Sequence, residues 1–240
     1  MRMELPKNNK KEQYIERTQL TFKDIKGFRK KVQYIWEYYH ILFFTVIICA
    51  ALIGGVAASV YKNIKYKTIF YCTIVNNNLT EETHKALTQD FSNYIHLNEE
   101  NEILTIDNSL TIDYAENSPQ QENTYYSIQK LTALFASHTV DCFISDAVVT
   151  EAYATTAGFY DLNQILPQDM LDALSDRLVT FVAYENEDAP GIEGSYSIDI
   201  TGTEFAKQYG IYLEHAYVSI IINSEHIDSA IAFIRFIFGL

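Results

Sequence analysis

The sequence contains few of the residues that cross-link or interrupt a protein chain. Its 240 residues include three cysteines, four prolines and nine glycines. Three cysteines cannot build the multi-disulfide framework of a small secreted domain. Cys49 lies in a long apolar run, so Cys72 and Cys142 either form a single bridge or remain as free thiols on buried strands, and the second alternative is favoured.

Patterns for catalysis and metal binding are also missing. The six histidines show no short-spaced pair of the kind that binds zinc, and there is no Gly-rich phosphate loop, nucleophile elbow or metalloprotease helix. The acidic residues between Glu185 and Glu193 lack the alternation and central glycine of an EF-hand. We therefore predict no enzyme activity, no cofactor and no metal site.

Positive charge is scarce in most of the chain. Residues 1–61 carry ten Lys and Arg against five Asp and Glu, whereas residues 62–240 carry eight against twenty-six. The formal charges of the two parts are therefore +5 and −18. Because nucleic-acid affinity depends on Lys and Arg releasing counterions from phosphates, nucleic acid is excluded as a partner.

One long apolar run stands near the N-terminus. No charged residue occurs from Ile41 to Val60. Twenty residues in a helix at 1.5 Å per residue span about 30 Å, the thickness of the hydrocarbon core of a bilayer. The run has no polar stripe, and Trp36 and Tyr61 flank it as interfacial aromatics do. We predict a transmembrane helix over residues 41–61, with the lipid bilayer as a partner.

Basic residues predict the orientation of this helix. Five Lys and Arg between Lys23 and Lys31 precede it closely, and three Lys follow it. The positive-inside rule then places the N-terminus in the cytosol and residues 66–240 outside the cell, in a single-pass protein of the cell membrane. A cleavable signal peptide would need an n-region of about forty residues, so an uncleaved anchor is favoured.

The tail, residues 1–40, is predicted to contain an amphipathic helix. Apolar residues recur at spacings of three and four, whereas residues 1–20 lack periodicity and are predicted to be disordered or a frayed helix. The helix either lies on the inner leaflet, which is favoured, or binds a partner. The recurring residues are Ile25, Phe28, Val32, Ile35 and Tyr39.

The remaining residues predict an α/β domain over residues 66–240. Apolar strand patterns cover 68–75, 103–106, 140–145, 178–184, 196–200 and 217–222, and a further stretch at 110–114 extends or pairs with the second strand. Helical patterns lie between the strands, with Thr80 and Ser118 as helix caps. Glu185 to Gly194 is predicted to be a surface loop. This alternation favours a mainly parallel, helix-flanked sheet.

Two segments resemble the type 2 extracellular solute-binding proteins of ABC importers. The first is Val140-Asp141-Cys142-Phe143-Ile144-Ser145-Asp146 with the helix after it, and the second is Tyr217-Val218-Ser219-Ile220-Ile221-Ile222-Asn223-Ser224. The resemblance implies a reduced, membrane-anchored relative whose domain corresponds to one lobe of such a protein. About 175 residues are available, whereas two lobes usually need well over 250.

Candidate ligand-binding residues follow from the expected sheet. Open parallel sheets bind ligands beyond the carboxyl ends of their strands. The polar residues at those ends are Asn76, Asn77, Asn78, Asp107, Asn108, Ser145 and Asp146. The competing interpretation is that they are ordinary turn and helix-capping residues.

The function that these observations favour is a non-enzymatic, membrane-tethered interaction, sensing or accessory module at a bacterial cell surface. Its predicted partners are a membrane or cell-surface protein and a small solute. The eighteen tyrosines are compatible with a stacking surface for sugars and equally with core packing. The alternatives are a functional solute receptor for an importer, a surface hydrolase, or a subunit that passes a signal inward through the membrane helix.

Overall fold

A computed structural model describes residues 27–156, 158–184 and 191–240. The chain divides into two compact units with the boundary between Ile64 and Lys65. The predictions for residues 1–20, for Ile25 and for most of the loop from Glu185 lie outside the described residues.

The described part of the first unit is a long helix, α1, which begins at Phe28 and ends at Lys65, one residue beyond the boundary. At 1.5 Å per residue its 38 residues extend for about 57 Å. The segment His40–Tyr61, with a mean hydropathy of 2.7, is long and apolar enough to cross a membrane. Its apolar side chains, including Leu42 and Ile53, are exposed, as contact with lipid requires. From Phe28 onwards, the predicted tail helix and the predicted membrane helix thus form one continuous helix.

The second unit alternates strands and helices, as the sequence indicates. The strands are β1 (Lys67–Val75), β2 (Glu102–Leu110), β3 (Cys142–Asp146), β4 (Leu178–Ala183), β5 (Ile192–Asp199) and β6 (Ala216–Ile220). The helices are α2 (Glu81–Tyr94), α3 (Gln121–Ala136), α4 (Ala147–Ala154), α5 (Leu162–Ile165), α6 (Gln168–Ala173), α7 (Glu204–Tyr209) and α8 (Ile227–Phe238). Because β5 begins at Ile192, the predicted loop to Gly194 is three residues too long at its end.

The strands form one six-stranded mixed sheet in the order β2-β1-β3-β6-β5-β4. β1 is parallel to both β2 and β3, but β6, β5 and β4 each pair antiparallel with their neighbours. The α/β class is therefore confirmed, whereas the expectation of a mainly parallel sheet holds for only half of it. The short connection from β4 to β5 explains part of the difference, since a parallel crossover needs a dozen or more residues.

Alternating side chains of the strands pack into two cores on opposite faces of the sheet. Phe70, Cys72 and Ile74 of β1 lie in the larger core with α2 and α8, and Val75 lies in the smaller core with α3. The period-two alternation of a strand produces this division. Since α2 and α3 cover opposite faces, the chain leaves β1 in one direction towards β2 and returns over the other face to β3.

Helix starts follow the sequence signals in part. The hydroxyl of Thr80 accepts a hydrogen bond from the backbone N–H of Thr83, which confirms the predicted cap of α2. The predicted cap at Ser118 is wrong, because α3 begins three residues later. The Ser118 hydroxyl instead accepts from the N–H of Gln120 and donates to Asp113 at 2.5 Å. The side chain thus joins the turn before α3 to Asp113, a contact that spacing rules do not consider.

Candidate functional site

An open cleft of about 670 Å³ lies beyond the carboxyl ends of β1 and β3. The connection that leaves β1 passes through α2 on one face of the sheet, and the connection that leaves β3 passes through α4 on the other face, which makes this a topological switch point. The walls come from the turn after β1, the segment after β2 and the start of α4. The lining residues are Asn76, Asn78, Thr111, Ile112, Asp113, Tyr114, Ala115, Gln120, Asp146, Val148 and Val149.

Asn76 joins the three segments that form the cleft. Its Oδ1 accepts from the N–H of Ile112 at 2.7 Å, and its Nδ2 donates to the carbonyl of Ile112 at 2.7 Å and to Asp146 Oδ2 at 2.6 Å. The side-chain amide therefore pairs with Ile112 as a peptide group of a neighbouring strand would. Asn76 has a φ of 60°, a left-handed conformation that asparagine tolerates better than most residues.

Asp146 has two structural partners as well as a position in the cleft wall. Its Oδ1 accepts from the N–H of Val149 at 3.0 Å and caps α4, while its Oδ2 accepts from Asn76. Ser145 is buried, and its hydroxyl lies 2.6 Å from that of Thr150. Ser145 therefore does not face the cleft, and Asp146 does.

The three consecutive asparagines after β1 lie in different surroundings. Asn78 is exposed in the wall of the cleft. Asn77 is buried, where its Nδ2 donates to the carbonyl of Gly210 at 3.1 Å and its Oδ1 accepts from the N–H of Tyr212 at 3.1 Å. Asn77 thus fastens the turn after β1 to the loop after α7.

Asp107 and Asn108 lie outside this cleft because β2 continues to Leu110. Asp107 accepts from Lys130 Nζ at 2.6 Å, from the Tyr71 hydroxyl at 3.1 Å and from the Ser109 hydroxyl at 2.7 Å. Burial tends to raise the pKa of Asp107, but the hydrogen bonds from Lys130 and Ser109 outweigh it and lower that pKa. Asn108 donates to the carbonyl of Leu79 at 3.4 Å.

The segment after β2 supplies cleft residues that the sequence reasoning assigned to a strand. Asp113 accepts from the Ser118 hydroxyl and from the N–H of Ala115, and these bonds lower its pKa. Burial, and then the charge of Asp146, raise the pKa of Tyr114. Asp113 after an apolar run was the sequence signal for this loop, since aspartate is depleted in strands and enriched in turns.

A smaller cleft of about 320 Å³ adjoins the first at Thr111 and includes Lys130 and Tyr126. Another cleft, of about 660 Å³, lies between α7 and α8. Its wall contains Tyr209, whose hydroxyl donates to Asp90 at 2.7 Å. This third cleft lies away from the switch point and contains none of the predicted site residues.

A buried carboxylate stands at the amino end of β3. Asp141 is fully buried and accepts from the N–H of Tyr71 at 2.8 Å and from the Ser224 hydroxyl at 2.6 Å, and it lies 3.2 Å from His226 Nδ1. A serine nucleophile needs its hydroxyl beside the imidazole. Here the Ser224 hydroxyl donates to the carboxylate, so the cluster ties β1, β3 and the start of α8 together.

Cys72 and Cys142 are free thiols on neighbouring strands, where they occupy paired positions. Burial, followed by the charge of Asp141 for Cys72 and by the neighbouring thiol for Cys142, raises both pKa values well above the ordinary value. Protonated buried thiols are poor nucleophiles. Within the described ranges, no group of three or more His, Cys, Asp or Glu residues could hold a metal ion.

No protein-family model, curated protein or solved structure matches this chain.

Proposed function

We propose that the protein is a non-enzymatic, membrane-tethered module whose outer domain senses or captures a ligand at the cleft beyond β1 and β3. One observation carries this proposal: the cleft lies at the switch point of the sheet, in a domain that follows an apolar helix able to cross a membrane. A volume of about 670 Å³ is suitable for a small molecule or for a side chain of a partner.

The orientation and the kinship belong to the same proposal. The basic residues before the helix favour a cytosolic tail and an extracellular domain at a bacterial surface. The parallel order β2-β1-β3 with helices on both faces is compatible with one lobe of a type 2 solute-binding protein. In this view the module has kept the strand-end site of a single lobe and acts with a membrane or cell-surface partner.

A solute receptor for an ABC-type importer is the second candidate. The cleft favours it, because receptors of that kind bind solutes at strand ends. The single sheet of residues 65–240 favours the accessory module instead, since closure around a solute usually uses two lobes. Uptake of an identified ligand in cells that lack the protein separates the two, because a receptor is required for uptake and a sensing module is not.

A ligand screen of the full chain in detergent tests the shared claim. A ligand at a hundredfold excess over its Kd stabilises the folded domain by about 2.7 kcal/mol, which a thermal-unfolding assay detects. Val148 is exposed in the cleft wall, so Val148→Trp should remove this stabilisation without disturbing the core. Ile192→Trp, at an exposed position of β5 outside the cleft, is the control and should leave it unchanged.

A further inference from the structure

The strand-end cleft combines negative charge with aromatic and apolar surface. Two carboxylates, Asp113 and Asp146, line it together with the Tyr114 ring, which is 45% exposed, and the Val148 side chain, which is 62% exposed. The other polar lining groups are neutral, and among the residues that the structure describes the lining includes no Lys, Arg or His. A ligand in this cleft would therefore meet negative charge that no cation among the described wall residues offsets.

The two carboxylates are held in place by neutral donors. Asp146 accepts from the N–H of Val149 and from Asn76 Nδ2, and Asp113 accepts from the N–H of Ala115 and from the Ser118 hydroxyl. Neither forms a salt bridge with any residue that the structure describes. Fixed carboxylates with spare lone pairs can accept charge-assisted hydrogen bonds from a cation without reorganising.

The aromatic and apolar surface favours an organic cation over a metal ion. Tyr114 and Asp146 line the same cleft, and the charge of Asp146 is one of the causes that raise the pKa of Tyr114. A cation in this cleft would therefore have both an aromatic ring and a carboxylate in its walls. Cation–π attraction suits an organic ammonium group, which keeps apolar substituents. A hard metal ion needs several converging oxygen ligands, and the described residues contain no cluster of three or more acidic, His or Cys side chains that could supply them.

The net negative charge of the domain also favours a cationic ligand. Residues 62–240 carry a formal charge of −18, which repels anions and concentrates cations near the surface. The nearest basic side chain in the adjoining cleft, Lys130, is paired with Asp107 at 2.6 Å. An anionic ligand would find no cationic partner among the described residues that line the larger cleft.

We propose that the cleft beyond β1 and β3 binds a small organic ammonium ion, whose positive group lies between the Tyr114 ring and the carboxylates of Asp113 and Asp146. This inference rests on the proposed function, because it names the ligand class for the same cleft. It goes further because it requires a ligand that carries both a positive charge and apolar substituents.

The test compares two probes of the same shape. Choline carries a quaternary ammonium group, and 3,3-dimethylbutan-1-ol replaces it with a neutral tert-butyl group. We expect the full chain in detergent to bind choline in equilibrium dialysis and to bind the neutral alcohol at least tenfold more weakly. Raising the salt concentration should weaken choline binding, because partly exposed charges are screened.

Variants locate the binding in the cleft. Asp113→Asn removes one charge next to the ligand and should weaken choline binding about fivefold. Tyr114→Leu should weaken it about threefold through loss of the cation–π contact, whereas Tyr114→Phe should retain it. Glu116→Gln removes an exposed charge in the same loop outside the cleft wall and is the matched control, expected to bind as the unchanged chain does.

Different negative results would contradict different parts of the proposal. Equal losses in Asp113→Asn and Glu116→Gln would show a diffuse response to charge and overturn the assignment. Binding of a neutral probe such as N-acetylglucosamine that Val148→Trp abolishes, together with indifference to choline, would overturn the ammonium class but retain the proposed function. No binding of either kind, with no stabilisation across a broad library, would overturn both.

Discussion

Several polar side chains in this domain form hydrogen bonds between segments that are distant in sequence. Asn76, Asn77 and Asp141 each connect parts of the chain that are more than thirty residues apart in sequence, through hydrogen bonds to backbone groups or buried side chains. A buried backbone N–H or C=O costs free energy when it loses its partner. These residues therefore contribute to the stability of the fold independently of any ligand.

Replacing Asp141 with alanine should lower the free energy of unfolding by about 3 kcal/mol, because the buried Tyr71 N–H and Ser224 hydroxyl lose their acceptor. Asp176→Ala, at an exposed position, is the control and should change it by less than about 0.5 kcal/mol. Urea unfolding of the full chain in detergent measures both. Similar small losses in the two variants would contradict a structural role for the cluster.

Lys130→Met should reduce stability in a pH-dependent manner. The pKa of Asp107 is lowered in the folded protein, so its ionised form stabilises the fold above the unfolded pKa, and this contribution disappears as the pH falls through the folded pKa. We expect a loss of about 1 kcal/mol at pH 7 that decreases as the pH falls through the folded pKa of Asp107. Lys85→Met, at an exposed site on α2, is the control. A loss that does not change with pH across the acid range would exclude the ion pair as the cause.

Among the strands of the sheet, β4 is the one least protected against pairing with another chain. It lies at an edge of the sheet, contains no charged residue and has the composition of a strand that pairs readily, Leu178-Val179-Thr180-Phe181-Val182-Ala183. Natural edge strands usually carry a charge, a bulge or a proline that discourages pairing with other chains. The register shift between Val179 and Thr180 is the one such feature that the β4–β5 pairing shows.

Val182→Lys places a charge on the exposed side of this edge, where Val182 is 37% exposed. We expect self-association to decrease, because an approaching strand would have to desolvate the ammonium group, while the unfolding free energy changes by less than about 0.5 kcal/mol. Light scattering against concentration measures the first quantity. Unchanged self-association would show that copies do not meet along β4.

For the chain as a whole, the orientation in the membrane is the claim with the largest consequences. Protease added to intact cells should digest the acidic domain after α1 and spare an epitope tag placed at the N-terminus, since the proposed topology places that basic end in the cytosol. Replacing Lys23, Lys26, Arg29, Lys30 and Lys31 with glutamine should weaken this bias and expose the tag in part of the population. Protection of the domain and digestion of the tag would reverse the proposed topology.

Most element positions follow from local patterns. Apolar runs located all six strands to within a few residues, because a strand that crosses a core must be apolar over its buried length. Strand direction was harder to predict, since alternation is the same in parallel and antiparallel strands. The end of β2 was also misplaced, because Asp107 and Asn108 look like turn residues until Lys130 and Tyr71 are seen beside them.

The linear order of residues determined the apolar helix that is able to cross a membrane, the contrast in charge between the two parts and the α/β class, because each depends on composition or on periodicity within a short window. Only the tertiary structure decided which polar residues meet. Asn76 and Asp146 are seventy residues apart and bond at 2.6 Å, whereas the adjacent Asn77 turns away into the protein. Contacts of that kind depend on how the chain returns over the sheet, which no local pattern encodes.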